Sequence, residues 1–199
     1  MQIDEDRRLA IVSPIDDSAG IDGREDEGEA GDLLREIRSQ RKALVRLEQS
    51  AAIGEEIVIP EGGWNWEDLA ENAAEYLCSP RKDLEPMTPL VEPPFRTDHP
   101  AEVADAIALL ADLVEAFWDT GLYPAEDEDG VETRYLPLSG LSGGSNDKDG
   151  TLILPLRRML LARGNGYELR YADKVTANAA ATGATSGSEE QRSARQEEA

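Results

Sequence analysis

The chain has 199 residues, which is enough for one domain or for one domain with tails. Its 42 acidic and 20 basic residues give a formal net charge of −22. A field of this sign repels the phosphate groups of nucleic acids and of anionic membrane surfaces. Composition therefore predicts a protein that does not bind nucleic acid or insert into a membrane.

The sequence carries no signal for export. No apolar run approaches the roughly 18–20 residues that span a bilayer, and the first residues lack the cationic start and apolar core of a signal peptide. Cys78 is the only cysteine, so it can form neither an intrachain disulfide nor a thiolate zinc cluster. A lone thiol suits a reducing compartment, and we expect a cytoplasmic protein.

The N-terminal segment, residues 1–30, is acidic and contains few apolar side chains. Such a composition cannot bury enough apolar surface to build a core by itself. We expect an extended or partly ordered acidic arm that is anchored by Ile11, Pro14 and Ile15.

Residues 32–52 have apolar side chains at helical spacing, so they predict a helix. Another face of this helix carries a basic stripe, which consists of Arg35, Arg38, Lys42 and Arg46. The stripe has two interpretations: it docks an acidic partner, as in a regulatory binding module, or it faces solvent and the acidic excess of its own chain. We favour the second, because charged helix faces are usually solvated.

The next segments predict one regular helix and one interrupted helix. Asn65 is a suitable N-cap for a helix over residues 66–78, and Trp64 and Trp66 are expected to anchor the core. Residues 79–100 contain six prolines, each of which removes a backbone N–H group. We therefore predict either a broken helix or a proline-rich extended segment there.

Residues 101–119 have the widest apolar stripe and predict the clearest helix. It ends at Phe117 and Trp118, after which Gly121 and Pro124 turn the chain into an acidic loop. A short helix is predicted over residues 132–142. We expect Arg134 to hold this corner by pairing with a carboxylate near Asp119 or Asp127.

The C-terminal part is less regular. Residues 142–150 predict a loop, residues 151–161 either a short helix or a strand, and residues 164–166 a turn. Residues 173–199 are polar and predict a disordered tail or linker. The whole chain therefore predicts an all-α fold, in which antiparallel helices of residues 31–172 surround one core between the acidic arm and the tail.

The sequence offers little for catalysis or metal binding. The acidic loops lack the terminal bidentate glutamate of a calcium-binding EF-hand, so we predict no metal site and no cofactor. Cys78 and His99 could form a nucleophile pair in a hydrolase. Because Cys78 ends an apolar helix face, a buried inert thiol is the favoured interpretation, and we predict a protein that is not an enzyme.

Several stretches, taken in order, resemble a known family. They are Ser13–Asp22, the Arg-rich helix Leu34–Glu48, Trp64–Leu77, Arg81–Leu84, Trp118–Asp119 with Leu122–Pro124 and Arg134, Gly150–Leu152 with Pro155–Leu156, and Tyr167–Leu169. Their order and spacing are similar to those of the ImpA-related N-terminal domain, which opens TssA proteins of the bacterial type VI secretion system. The resemblance spans about residues 13–172.

The resemblance implies a structural role in secretion, namely help in assembling the baseplate and the contractile tail sheath and tube. The partners would be baseplate, sheath or tube proteins. The motif residues that it singles out are Trp66, Asp83, Leu84, Trp118, Asp119, Leu122, Tyr123, Pro124 and Arg134. Two features depart from the family: four prolines fall within residues 86–94, and the sequence ends after a polar tail, where TssA proteins usually carry a ring-forming C-terminal region. We therefore expect either a shortened piece or a short relative; ring formation by that route is not assumed, and the oligomeric state stays open.

Overall fold

The chain folds into two compact units, Met1–Ile153 and Leu154–Ala199, each of which is described by itself. The structure is a computed structural model, and it describes residues 3–14, 21–54, 63, 65–97, 99–143 and 150–180. The predicted division into residues 1–30, 31–172 and 173–199 stays a prediction.

The first unit is helical in its described part. Its elements are α1 (Glu5–Val12), α2 (Glu29–Ala52), α3 (Trp66–Leu77), α4 (Leu84–Val91), a 3₁₀ helix (Pro93–Arg96), α5 (Pro100–Phe117) and α6 (Glu132–Ser142). The predicted helices over residues 32–52, 66–78, 101–119 and 132–142 are thus confirmed, with ends that differ by at most a few residues.

Helix α4 lies at the centre of this unit, because it packs against α2, α3, α5 and α6. Its apolar side chains are almost completely buried. The buried apolar residues of the unit are Ile11, Leu34, Ile37, Leu44, Leu69, Ala70, Ala73, Ala74, Tyr76, Leu77, Leu84, Met87, Leu90, Val91, Phe95, Ala106, Leu109, Leu113, Phe117, Leu122, Leu141 and Leu152.

The proline-rich segment adopts the broken-helix alternative of the prediction. Pro86 occupies the first turn of α4, where a backbone N–H group has no partner within the helix. Pro89 lies inside the helix and leaves the carbonyl of Glu85 without its usual donor. The hydroxyl of Thr88 donates to that carbonyl at 2.9 Å. Pro93 and Pro94 then open the 3₁₀ helix, so Pro89 is the one of these four prolines that removes a hydrogen bond from inside a helix.

The expected acidic arm contains a helix. Asp4 caps α1 by accepting a hydrogen bond from the N–H of Arg7 at 2.8 Å. Ile11 is fully buried and confirms its predicted role as an anchor, whereas Pro14 is exposed. Ile15 lies outside the described residues. Helix α1 packs on α3 and α5, so the start of the chain contributes directly to the core.

The region after Thr151 corrects the expectation of an all-α fold. Ile153–Arg158 form helix α7, and Leu160–Gly164 (β1) pairs antiparallel with Tyr167–Arg170 (β2). Asn165 and Gly166 form the two-residue turn, with Gly166 at a φ of 84°. The part of the chain that the structure describes is therefore mostly helical, with one small hairpin.

The predicted tail, residues 173–199, begins within a helix that covers residues 171–180, and residues 181–199 lie outside the description. Among the described residues, none of the helices combines the length and the apolar character that crossing a bilayer requires.

Candidate functional site

Two of the sequence motifs lie side by side in the first unit. The N–H of Tyr123 donates to the carbonyl of Lys82, and the N–H of Leu84 donates to the carbonyl of Tyr123, both at 2.8 Å. Asp83 and Tyr123 therefore form an isolated parallel bridge. We call this region the motif junction, and define it as Lys82, Asp83, Leu84, Phe117, Trp118, Leu122, Tyr123 and Arg134.

Lys82 is a charged residue at the centre of the junction, and only 2% of it is exposed. Its Nζ donates to the carbonyls of Ala10 at 2.9 Å and Leu77 at 2.8 Å, near the C-terminal ends of α1 and α3. It also lies 5.4 Å from the ring centroid of Phe117. Helix C-termini carry partial negative charge, which favours a cation there.

Lys82 also replaces a hydrogen-bond donor that the backbone lacks at the end of α1. Pro14, four residues after Ala10, has no N–H group to donate to that carbonyl, so Lys82 supplies the missing donor. Burial lowers the pKa of Lys82 to about 8. One ammonium group therefore joins the ends of two helices at the cost of a desolvated charge.

Asp83 holds the start of α4. Its carboxylate accepts from the N–H of Glu85 at 2.8 Å, as an N-cap does, and pairs with the guanidinium of Arg24 at 2.5 Å. Arg24 also pairs with Glu85 at 2.7 Å and with Asp22 at 3.2 Å. Burial raises the pKa of Asp83, although the hydrogen bond and charge of Arg24 oppose this shift. The predicted motif residue is thus a buried cap with its own counter-ion.

The corner after α5 has the geometry of a glycine-terminated helix. Gly121 has a φ of 101°, and the N–H of Leu122 reaches back to the carbonyl of Phe117 at 3.1 Å. This hydrogen bond across a left-handed glycine belongs to the Schellman motif, which commonly includes an apolar contact. Phe117 and Leu122 are both buried, so the turn directs its apolar side chains into the core.

Arg134 of α6 binds the backbone of the same turn after α5. Its guanidinium donates to the carbonyls of Trp118 at 2.7 Å and Leu122 at 3.1 Å, and lies 4.1 Å from the ring centroid of Trp118. Its carboxylate partner is Glu126, at 3.7 Å, which is the neighbour of Asp127, so the predicted pairing with a carboxylate near that position is confirmed.

The other carboxylates close to this corner have different roles. The carboxylate of Asp127 accepts from the N–H of Asp129 at 2.9 Å and from the hydroxyl of Thr133, so it orders its own loop. Asp119 is exposed at the end of α5. Pro124 follows Tyr123 through a cis peptide bond.

Trp66, at the start of α3, is half-buried and lies outside the motif junction. The guanidinium of Arg96 stacks 3.5 Å from its ring centroid and pairs with Glu48 of α2 at 2.6 Å. Trp66 therefore joins α3 to the 3₁₀ helix and α2 through a cation–π contact. Trp64 lies outside the described residues.

The basic stripe of α2 divides into two kinds of residue. Arg35 pairs with Asp32 at 2.6 Å, and Arg38 binds both carboxylate oxygens of Glu85 at 2.5 and 2.7 Å. Lys42 and Arg46 are exposed and have no ionic partner among the described residues.

Sequence reasoning missed a further ion pair on this helix. Arg41 binds both oxygens of Glu92 at 2.7 and 2.9 Å, although Glu92 is fully buried. The hydroxyl of Thr151 also donates to this carboxylate. Arg41 interrupts the apolar spacing of α2, and a guanidinium at a core-facing position is the signal that could have indicated a buried acidic partner.

A groove of about 410 Å³ lies between α2 and α4. Apolar side chains of Ile37, Val45 and Pro89 form part of its lining. Four cationic side chains and one carboxylate complete the charged lining, namely Arg38, Arg41, Lys42, Arg46 and Glu85. We call it the cationic groove; its charge is opposite to that of the chain as a whole.

The alternative nucleophile pair receives no support from its surroundings. Burial raises the pKa of the Cys78 thiol, whereas an activated cysteine needs a lowered pKa. The thiol faces the backbone carbonyl of Arg7 at 4.0 Å. His99 is exposed and precedes α5 without a side-chain cap hydrogen bond.

Comparison with known proteins adds two findings. Residues 12–143 match the family described as ImpA, N-terminal, type VI secretion system. A solved structure, the N-terminal domain that includes the conserved ImpA_N region of the TssA component of the type VI secretion system from Burkholderia cenocepacia, matches with a TM-score of 0.58 at 20% identity. The match covers 95% of this chain and 67% of that one. None of the curated proteins matches significantly in sequence.

Proposed function

Because the chain belongs to the ImpA N-terminal family of the type VI secretion system, we propose that it acts as a non-enzymatic assembly module for the baseplate and the tail sheath and tube. The family match covers most of the first unit, including α2 to α6 and the whole motif junction. It is the single observation that carries the proposal.

The chemistry of the motif junction supports a structural role. Its three charged side chains are each used inside the fold: Lys82 on two helix ends, Asp83 on Arg24, and Arg134 on the end of α5. The ammonium of Lys82, the carboxylate of Asp83 and the terminal guanidinium nitrogens of Arg134 are therefore engaged within the fold and are not placed to bind or transform a substrate. The junction instead fixes α4, α5 and α6 in one rigid arrangement, as a docking platform needs.

The proposed role is tested by co-purification. The tagged full chain is incubated with purified baseplate, sheath and tube proteins of the same secretion system, and captured proteins are identified by mass spectrometry. We expect specific capture of at least one of them. Capture of none, under conditions in which a longer TssA protein of that system captures its partners, would contradict the proposal.

A matched variant separates binding from folding. Arg163→Glu changes an exposed hairpin residue whose pairing with Glu168 lies within the second unit. It should retain the circular dichroism spectrum and serve as a charge-reversal control. An unrelated acidic protein is tested in parallel. If it captures the same proteins as the wild type and the Arg163→Glu variant, the capture is non-specific and the proposal fails.

A further inference from the structure

We propose that the cationic groove between α2 and α4 is the docking site for an acidic, amphipathic peptide segment of a partner protein. The inference rests on the proposed assembly role, since it names the chemistry by which such a module would hold a partner. The assembly role alone specifies neither the cationic groove as the contact surface nor an acidic, amphipathic segment as its occupant.

The charged lining of the groove is mainly cationic, whereas the chain as a whole is acidic. Acidic residues outnumber basic residues by 42 to 20 in the chain, yet cations dominate the lining of this groove. Glu85 is already bound by Arg24 and Arg38, and Glu92 is bound by Arg41. Lys42 and Arg46 therefore remain without a carboxylate in the described part of the chain.

The spacing of Lys42 and Arg46 along α2 also favours a helical partner. Lys42 and Arg46 are four residues apart on α2, so they project from one face about one helical turn, or roughly 6 Å, from each other. Two carboxylates one turn apart on a peptide helix would match this separation. Pairs of this kind set the register of a docked segment and speed its association.

The groove is lined by apolar as well as charged side chains. The apolar side chains of Val45 and Pro89 offer contact area between the charges, and the volume of about 410 Å³ suits a few anchoring side chains. An amphipathic helix that lies in such a groove presents apolar anchors on one side and carboxylates at the rim. A nucleic acid would match the cations but not the apolar lining or the net charge of −22.

The structure also shows which substitutions test the groove without damaging the fold. Arg38 and Arg41 hold Glu85 and Glu92, so their replacement would disturb the protein itself. Lys42 and Arg46 are exposed and have no ionic partner among the described residues, so Lys42→Glu with Arg46→Glu should leave the fold intact. Arg35→Glu is the matched control, because Arg35 lies on the same helix but does not line the groove.

The binding experiment uses the full chain and three fluorescein-labelled synthetic helical peptides. One places Glu and Leu on one face, the second replaces each Glu by Lys, and the third replaces each Leu by Gln. We expect fluorescence anisotropy to report binding of the first peptide only, weakened by added salt. The double variant should weaken it at least about tenfold, equivalent to roughly 1.4 kcal/mol, and Arg35→Glu by less than about twofold.

Four results would overturn the inference. The first is equal binding of all three peptides, and the second is unchanged binding by the double variant. The third is equally tight binding of inorganic polyphosphate at Lys42 and Arg46, which would assign the groove to simple anions. The fourth is concentration-dependent dimerisation that the double variant abolishes, measured by sedimentation velocity, which would assign it to a second copy of the chain.

The same variants keep the two proposals apart. If the wild type captures secretion components and the double variant captures them equally well, the groove is not the site although the assembly role stands. If the wild type captures none, the assembly role fails whatever the peptides do. Loss of capture in the double variant alone, with retention in Arg35→Glu, is the result that supports both.

Discussion

The motif junction and the cationic groove both contain several charged side chains, but they use that charge in opposite ways. At the junction, Lys82, Asp83 and Arg134 are buried and point inward to helix ends or counter-ions. At the groove, Lys42 and Arg46 are exposed and point outward without partners among the described residues. The motif residues of the junction therefore contribute to the packing of the fold, whereas the proposed binding surface lies elsewhere.

This contrast gives an experimental rule. Substitutions at the junction should change the free energy of unfolding, whereas substitutions of Lys42 and Arg46 should change binding and leave stability almost unaltered. The predictions below test the rule from the largest expected change in stability to the smallest, and the last one compares two variants of α2 directly.

The largest effect is expected from Leu84→Ala at the junction. Leu84 is fully buried in the first turn of the central helix α4. Removing its side chain leaves a cavity in the core, which typically costs about 2–5 kcal/mol. Urea unfolding followed by circular dichroism should show a lower midpoint with a similar slope. A change below about 1 kcal/mol would show that the junction is not part of the cooperative core.

Lys82→Met should destabilise the protein by about 2–4 kcal/mol, because it removes the donor for two buried carbonyls while keeping a side chain of similar length. Unfolding free energies at neutral pH measure this. A variant as stable as the wild type would show that the desolvated charge of Lys82 offsets its hydrogen bonds.

The same variant predicts a dependence on pH. Burial lowers the pKa of Lys82 from its ordinary value of 10.5 to about 8, so between these values the unfolded chain binds more protons than the folded chain. The contribution of Lys82 to stability therefore rises with pH in that window. The difference in unfolding free energy between wild type and variant should grow from about pH 8 to about pH 10. A constant difference would contradict the lowered pKa.

Much of the junction could be predicted from the sequence, but its contacts could not. Helical periodicity located α5, and Gly121 indicated where it ends. The bridge between Asp83 and Tyr123, and the position of Lys82 on two helix ends, depend on how distant segments meet. No local pattern encodes such a meeting.

Differences between prediction and structure have local physical reasons. The hairpin was missed because only the turn was recognised, although Asn165-Gly166 between two short runs is a strong hairpin signal. The partner of Arg134 was predicted only as a carboxylate near Asp119 or Asp127; it is Glu126, because Asp127 accepts hydrogen bonds within its own turn. Whether the basic stripe binds a partner stays a prediction, since only binding can test it.

Arg134→Met should destabilise the protein by roughly 1–3 kcal/mol, less than Lys82→Met. The change removes hydrogen bonds to the carbonyls of Trp118 and Leu122, but the nearby surface allows water to replace some of them. Arg134→Lys should restore only part of the loss, because an ammonium cannot reproduce a planar guanidinium against Trp118. Thermal unfolding measures both, and full rescue by lysine would argue against the stacking contribution.

The smallest change in stability is expected from Lys42→Glu with Arg46→Glu. Both side chains are exposed and lack ionic partners among the described residues, so their replacement removes no fold-stabilising pair. Surface substitutions of this kind usually change stability by no more than about 0.5 kcal/mol. Both positions lie more than one turn before the C-terminal end of α2, where the helix dipole has little effect, so we expect a change close to zero.

Arg41→Met is the informative counterpart on the same helix, because it leaves the buried carboxylate of Glu92 without its guanidinium. It should destabilise the protein by at least about 2 kcal/mol more than the double variant, since an uncompensated buried charge is costly. Urea midpoints of the two chains, measured side by side, decide the matter. Equal midpoints would mean that the paired cation Arg41 contributes no more to stability than Lys42 and Arg46, which lack ionic partners among the described residues. The contrast between the junction and the groove would then fail on α2, where cations of both kinds lie next to each other.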